Sequence, residues 1–229
     1  MKKILPLILF VYFGLVSQSI SAQSKFDGFY GGIDLGYFSG KDEGTEYNDG
    51  VANGFTNLTK PKGTTYGLEV GFNHVLPEKV LLGMDLSFHY INKSNSSFQE
   101  NQGGLVPNYP IQTTIQNRTD LKAKVGYVFN KDNSSVFLTG GLSMAKIDRT
   151  FSSVNNNTSF VASNNTLGYI LGAGAEHFFF KNISLKAEYL YTKYKQNNID
   201  SSAAYGSGIT ETQNYKDNTI RLGLSYYFN

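Results

Sequence analysis

The sequence contains no cysteine, no tryptophan and only 5 proline residues among 229. The absence of cysteine excludes a disulfide-stabilised scaffold, a thiol-dependent enzyme and a lipoprotein anchored through an N-terminal cysteine. Charged residues are also scarce, at 17% of the chain, compared with about 25% in ordinary soluble domains. Phenylalanine, tyrosine and glycine are abundant instead. This composition excludes a disordered chain and favours an all-β protein over a helical bundle.

The N-terminal segment has the pattern of a secretory signal peptide. Lys2 and Lys3 precede an apolar run at residues 4–16, and small and polar residues follow up to Ala22. The apolar run is shorter than the roughly 20 residues that a transmembrane helix needs. The pattern therefore predicts a signal peptide at residues 1–22 and a mature domain at residues 23–229.

The predicted mature chain carries no formal net charge. The full sequence has 20 Lys and Arg residues and 18 Asp and Glu residues, and removal of Lys2 and Lys3 leaves 18 of each sign. A neutral chain attracts polyanions only weakly, so nucleic acid is excluded as the main partner.

Apolar and polar side chains alternate with a period of two, which is typical of β-strands with two different faces. At residues 218–228, for example, Leu222 and Leu224 share one face, whereas Arg221 and Ser225 share the other. The pattern predicts eight strands of roughly ten residues, the length of a tilted strand that crosses a bilayer. The predicted strands are residues 29–39, 64–74, 80–90, 118–129, 136–144, 168–176, 184–192 and 218–228.

The connections between the predicted strands alternate between short and long. This order predicts an all-β, eight-stranded antiparallel up-and-down transmembrane β-barrel, with its turns and both chain ends in the periplasm. The long segments are rich in Gly, Asn, Ser and Thr, as at residues 95–97 and 155–159, which is typical of mobile, solvated loops. Any specific recognition is expected in these loops, and a host surface, a phage or no partner all stay open. The short connections are residues 75–79, 130–134 and 179–182, and the long ones are residues 41–62, 93–115, 148–164 and 196–215.

The two strand faces distinguish a membrane barrel from a soluble lipocalin-like barrel, which also has eight strands. A lipocalin-like barrel would enclose its apolar face, but here the polar face carries nearly all the glycine and charge, which suits a narrow lumen. The apolar face has aromatic residues near both strand ends, as in the girdles at the two membrane surfaces. The sequence thus predicts a protein of the bacterial outer membrane in contact with lipid and lipopolysaccharide. The girdle residues are Tyr37, Tyr66, Phe88, Tyr90, Tyr169 and Tyr191 toward the loops, and Phe72, Tyr127, Phe129, Tyr226 and Phe228 toward the turns.

Five short motifs occur along the predicted strands. They are Gly-Phe-Tyr-Gly-Gly at residues 28–32, Thr-Gly-Gly-Leu at 139–142, Gly-Ala-Gly-Ala-Glu at 172–176, Lys-Ala-Glu-Tyr-Leu-Tyr at 186–191 and Arg-Leu-Gly-Leu-Ser-Tyr-Tyr-Phe at 221–228. Together they resemble the opacity-type outer-membrane β-barrel family, in particular its branch of small Gram-negative surface antigens. The resemblance covers the whole mature chain. It implies a structural or surface-interaction role and recognition of the last strand by the barrel-assembly machinery. The sequence departs from the family in having no tryptophan and in ending with Asn229 instead of an aromatic residue.

Ten charged side chains are predicted to face the lumen. Because an unpaired charge shielded from water costs several kcal/mol, we expect them to pair across the lumen and close the barrel as an ion-pair plug. A small porin-like channel lined by the same charges is the alternative, although eight strands enclose an interior about filled by its own side chains. Arg221, predicted as the only inward arginine, is the expected hub, with Asp34 and Glu69 as partners. The set is Asp34, Glu69, Asp85, Asp120, Lys122, Lys124, Glu176, Lys186, Glu188 and Arg221.

The sequence offers little enzyme chemistry. Asp85, Ser87 and His89 alternate on one strand as an acid, a nucleophile and a base, but side chains at i and i+2 lie too far apart for a direct triad. The histidines have no metal-ligand spacing and no phosphate-binding glycine motif is present, so no cofactor is expected. A lipid A-modifying barrel enzyme would need polar groups that lipid can reach, and the apolar face offers only His177, at the turn end. The protein is therefore not expected to be an enzyme.

Overall fold

The computed structural model describes residues 24–228, so the predicted signal peptide at residues 1–22 lies outside the described residues. The described chain forms ten strands and one short helix. The elements are β1 (Gly28–Asn48), β2 (Val51–Thr59), β3 (Lys62–Val75), β4 (Val80–Asn101), β5 (Gly104–Phe129), β6 (Ser134–Ser153), β7 (Thr158–Phe178), β8 (Ile183–Tyr194), β9 (Asn197–Asp200), α1 (Ser202–Tyr205) and β10 (Ile209–Tyr227).

Eight of the strands close into an antiparallel ring. The order around the ring is β1, β3, β4, β5, β6, β7, β8 and β10, and β10 pairs with β1 to close it. At the closure, Leu35 lies opposite Leu222 and Gly36 lies opposite Arg221. The predicted eight-stranded up-and-down barrel is confirmed.

Short turns join the strands at one end of the barrel, at the three places where the sequence predicts them. Asn130, Lys131 and Asp132 adopt positive φ angles of 53°, 52° and 62° in the turn between β5 and β6, a conformation that Asn and Asp tolerate better than most residues. The start of β1 and the end of β10 lie at this same end. We call it the periplasmic end, and the other the extracellular end, according to the arrangement of outer-membrane barrels.

At the extracellular end the strands continue well beyond the length needed to cross a bilayer. β4 and β5 contain 22 and 26 residues and pair with each other up to Asn101 and Gly104. β2 continues the position of β3 between β1 and β4, and β9 pairs with the upper part of β10. The prediction that residues 41–62, 93–115, 148–164 and 196–215 are loops is therefore wrong, because most of these residues are paired strands.

The two faces of the barrel wall differ as the alternation predicts. Leu68, Met84 and Leu222 on the outer face are 64%, 58% and 55% exposed, whereas Asp120 and Lys122 on the inner face are fully buried. The outer face at this level is the surface that lipid covers in an outer-membrane barrel.

Among residues 24–228, no helix has the length and apolar character to span a bilayer.

Candidate functional site

Inward side chains fill the lumen in alternating apolar and polar layers. Three apolar clusters, here called the periplasmic, middle and outer layers, follow one another from the periplasmic end. Charged side chains form a central network between the first two layers and an outer network between the last two. The periplasmic layer is Phe26, Tyr30, Leu81, Val128, Phe137, Phe178 and Tyr227. The middle layer is Phe38, Ile91, Ile115, Ala145, Ile147, Tyr194 and Tyr215. The outer layer is Ile111, Phe151, Ala162, Ile199 and Ala204, with Phe160 and Tyr205 packed against it.

The segment before β1 closes the periplasmic end. Phe26 is fully buried, and its ring centroid lies 4.7 Å from that of Phe178 and 6.0 Å from that of Tyr227. Tyr30 stacks on Tyr227 at 5.1 Å. These aromatic side chains come from three parts of the chain. The tyrosine hydroxyl groups point toward the charged side chains above them, and the Tyr227 hydroxyl donates a hydrogen bond to Glu176 Oε1 at 3.1 Å.

Asp120 is the centre of the arginine part of the central network. Its Oδ2 accepts a hydrogen bond from Arg221 Nη2 at 2.8 Å and lies 3.4 Å from Arg118 Nε. Its Oδ1 accepts a hydrogen bond from Ser143 Oγ at 2.6 Å. Arg118 also donates from Nη1 to Asp217 Oδ1 at 3.0 Å. Because β5 and β10 stand opposite each other in the ring, the Arg221–Asp120 and Arg118–Asp217 contacts cross the full width of the lumen.

Three lysines form the other half of the central network. Lys122 Nζ lies 3.0 Å from Glu188 Oε1 and 3.4 Å from Asp85 Oδ1. Lys124 Nζ lies 3.4 Å from Asp85 Oδ2 and donates to the Tyr30 hydroxyl at 2.6 Å. Lys186 pairs with Glu69 and lies 3.8 Å from Glu188 Oε2. Each ammonium group thus contacts at least one carboxylate on another strand.

All ten predicted lumen residues face inward, but the partners predicted for Arg221 are wrong. Asp34 lies 3.0 Å from His89 Nε2, and Glu69 pairs with Lys186. Arg221 instead contacts Asp120 on the opposite strand, because His89 and Lys186 already occupy the space next to Asp34 and Glu69. The prediction that Arg221 is the only inward arginine is also wrong, since Arg118 is buried in the same central network.

The outer network has three carboxylates and one arginine. Arg149 Nη2 lies 2.9 Å from Asp42 Oδ2 and Arg149 Nη1 lies 3.6 Å from Glu211 Oε2. Glu46 and Glu211 are directly opposite each other on β1 and β10. The amide nitrogen of Gln99 donates to both, at 2.7 Å and 2.8 Å. One amide group therefore bridges two carboxylates of like charge.

Glu211 lies above the middle layer, outside the membrane-spanning part of the barrel. Burial and the Glu46 carboxylate raise the pKa of Glu211 to about 7, although Arg149 acts in the opposite direction. Burial also raises the pKa of the Tyr205 hydroxyl, which lies in the outer layer above these carboxylates. The outer network thus contains a carboxyl group that changes its charge near neutral pH.

Asp85, Ser87 and His89 do not contact one another as a triad. His89 Nε2 and Nδ1 face Asp34 and Asp120, Asp85 faces two lysines, and the Ser87 hydroxyl has no hydrogen-bond partner. Within residues 24–228, no group of three or more histidine and carboxylate side chains is arranged to hold a metal ion.

Sequence reasoning missed six buried charges that complete the two networks. Arg118 is the first residue of the fourth predicted strand and continues its inward alternation. Asp217 does the same for the eighth predicted strand if that strand is extended by one residue. Asp42, Glu46, Arg149 and Glu211 lie in segments predicted as loops. The signal for them was the alternation in residues 147–151, where Ile147, Arg149 and Phe151 face inward.

Comparisons with known proteins agree with this architecture. The family model described as outer membrane protein beta-barrel domain matches residues 8–228. The 31 kDa outer-membrane immunogenic protein of Brucella melitensis is 29% identical over 210 residues, which cover 88% of this chain and 83% of the relative. Among solved structures, the outer membrane protein OprG of Pseudomonas aeruginosa has a TM-score of 0.54 at 12% identity, covering 89% of this chain and 99% of that one. The outer membrane protease OmpT of Escherichia coli has a TM-score of 0.53 at 12% identity, covering 91% and 99%.

Proposed function

Because the chain belongs to the outer membrane protein β-barrel family, we propose that it is a non-enzymatic surface protein of the outer membrane whose lumen is closed by its own side chains. The observation that carries the proposal is the alternation of three apolar layers with two ion-pair networks that reach across the lumen. A conducting pore needs a continuous polar path, and the apolar layers interrupt it at three levels.

The packing of the middle layer supports closure at the extracellular membrane surface. Phe38, Tyr194 and Tyr215 come from three strands and are each at most 3% exposed. A Cβ atom at Gly40 would overlap the Tyr215 ring, so the backbone of β1 and this ring fill the lumen between them. Arg118 and Asp217 lie directly below, and their ion pair is buried beneath the aromatic rings.

A surface-interaction role is supported by the shape of the extracellular end. Paired strands hold three hairpins away from the barrel, and each tip exposes an aliphatic side chain: Val51 is 70% exposed, Leu105 61% and Val154 62%. Ordered hairpins lose less conformational entropy on binding than loops do. Host-cell or phage surfaces are the partners that we propose for these tips. The test measures phage adsorption to bacteria that carry the triple variant Val51→Asp, Leu105→Asp, Val154→Asp, and adhesion of these bacteria to host cells.

The closure is tested by conductance in planar bilayers. We expect the wild-type protein to give no steady conductance, and Arg221→Ala to give transient openings because Asp120 loses one of its two arginine partners. Lys131→Ala, in an exposed turn outside the lumen, serves as the matched control and should behave like the wild type. A steady conductance that is the same in the wild type and in Arg221→Ala would contradict closure and favour the small porin-like channel.

A lipid A-modifying enzyme is the third candidate, after the small porin-like channel. Its test is incubation of the purified protein with lipid A, followed by mass spectrometry of the lipid. Loss or transfer of an acyl chain would contradict the non-enzymatic proposal.

A further inference from the structure

A row of lysines crosses the outer wall of the barrel just above the extracellular girdle. Lys193 on β8, Lys216 on β10 and Lys41 on β1 are consecutive cross-strand partners, and all three lie on the outward face. Like charges directly opposite each other on neighbouring strands are destabilising. A row of three therefore lowers stability unless an anion lies against it.

Two further lysines extend this row into a groove. The groove has a volume of about 540 Å³. Lys41 and Lys216 line it together with Lys60, from the connection between β2 and β3, and Lys62, the first residue of β3. No carboxylate lines the groove. The five ammonium groups have one nearby acidic partner, Glu43, which lies 2.7 Å from Lys41. In the described part of the chain, Lys60, Lys62, Lys193 and Lys216 have no carboxylate within ion-pair distance.

The position of the groove indicates what kind of anion it accepts. Tyr191 lines the groove and lies two residues before Lys193, while Tyr37 lies four residues before Lys41 on the same outward face. Aromatic residues of this kind mark the membrane surface. Directly below, Leu35 and Ile220 expose an apolar wall, at 53% and 60%. An anion that sits on the lysines and also carries acyl chains can contact both surfaces at once.

We propose that the lysine row and the adjoining groove, which together present Lys41, Lys60, Lys62, Lys193 and Lys216, bind the phosphate groups of an outer-leaflet lipopolysaccharide molecule. The ammonium groups neutralise the phosphates, and the acyl chains lie along the wall below. The site is on the outside of the barrel and does not depend on whether the lumen conducts. A sulfated polysaccharide is the competing ligand, since it would satisfy the charges but has nothing to place against Leu35 and Ile220.

The test compares lipid A binding in phosphatidylcholine nanodiscs by native mass spectrometry. The full protein is compared with the triple variant Lys41→Gln, Lys193→Gln, Lys216→Gln. The control is Lys79→Gln, Lys131→Gln, Lys181→Gln at the periplasmic turns, which removes the same charge from the other end. The probes are diphosphorylated lipid A, dephosphorylated lipid A, inorganic phosphate and heparin.

We expect the groove variant to bind diphosphorylated lipid A about a hundred-fold more weakly, given the typical contribution of a lysine near an anionic membrane surface. The turn control should bind like the wild type, and replacing the three lysines with arginine should retain binding. Equal binding by the groove variant, or equal binding of dephosphorylated lipid A by the wild type, would overturn the proposal. Displacement of lipid A by heparin or inorganic phosphate at equal concentration would also overturn it, because the site would then recognise a soluble anion. Resistance of the barrel to unfolding in unheated gel samples verifies that each variant is folded.

Discussion

Arg221 on β10 donates a hydrogen bond to Asp120 on β5, the strand directly across the barrel, at 2.8 Å. Both side chains are at most 2% exposed. The contact ties opposite walls of the barrel together, and a second cross-lumen pair, Arg149 with Asp42 on β6 and β1, does the same in the extracellular part. Backbone pairing thus joins neighbouring strands around the circumference of the barrel, and ion pairs join opposite strands across the lumen.

Asp120→Ala should lower stability by about 3–5 kcal/mol, the typical result of leaving a buried partner charge uncompensated. Both Arg118 and Arg221 lose a carboxylate, although Arg118 keeps Asp217. The measurement is the urea midpoint in detergent micelles. Asp132→Asn is the control, because asparagine tolerates the positive φ angle of this position and the pair of Asp132 with Lys79 at 3.8 Å is solvent-exposed; such pairs contribute about 0–1 kcal/mol. Equal midpoint shifts in the two variants would show that the cross-lumen contact does not stabilise the barrel.

Leu222→Lys should weaken folding into lipid by about 2–4 kcal/mol if the residue lies near the bilayer midplane, because the charge faces lipid. Asn218→Lys, on the same strand and face but four residues closer to the extracellular end, should cost about 0–1 kcal/mol. Refolding into vesicles of phosphatidylcholine, titrated with urea, measures both. Similar losses at the two positions would contradict the assignment of this face to lipid at the level of Leu222.

The extracellular part should become less stable as the pH rises from about 4.5 to 7. The pKa of Glu211 is raised from its ordinary value of 4.5 to about 7, so between these values the folded form binds more protons than the unfolded form. The stabilisation that protonated Glu211 contributes is complete below about pH 4.5 and is lost above about pH 7, a change of about 3 kcal/mol in the free energy of unfolding. Hydrogen exchange of residues 197–211 at several pH values measures it.

Glu211→Gln should remove most of this pH dependence, because the amide keeps the shape of the side chain without titrating. Glu100→Gln, an exposed position on β4, is the matched control and should keep the wild-type profile. If both variants follow the wild-type curve, the titrating group lies elsewhere.

Gly67→Ala should destabilise the barrel by about 1–3 kcal/mol, the usual cost of overpacking a filled interior. A Cβ atom at this position would overlap both His89 and Asp34 and separate them. Gly31→Ala is the control, because the nearest atoms to its Cβ lie 3.8 Å away in the Phe228 ring, on the outside of the barrel. Thermal unfolding followed by circular dichroism distinguishes the two, and an unchanged midpoint for Gly67→Ala would mean that the lumen has room at this level.

The sequence alone predicted the barrel because the membrane imposes a simple rule on each crossing. Lipid requires an apolar outer face and a narrow lumen requires small or paired polar residues, so Leu222 and Arg221 on adjacent positions already reveal which way each points. The same rule located all ten charges of the predicted set on the inner face. This rule no longer applies beyond the membrane surface, where both faces of a strand can be polar. For this reason the hairpin extensions, with Asp42, Arg149 and Glu211 inside them, resembled loops.

Only the tertiary structure decided which charges meet. Alternation assigns a side chain to a face, but the partner across the lumen depends on strand tilt, on register around all eight strands and on the length of each side chain. Closure of the last predicted strand against the first favoured Asp34 as the partner of Arg221, whereas in the structure Arg221 pairs with Asp120 and Asp34 faces His89. The row of Lys193, Lys216 and Lys41 likewise exists only because β10 closes between β8 and β1, joining residues from the two ends of the chain.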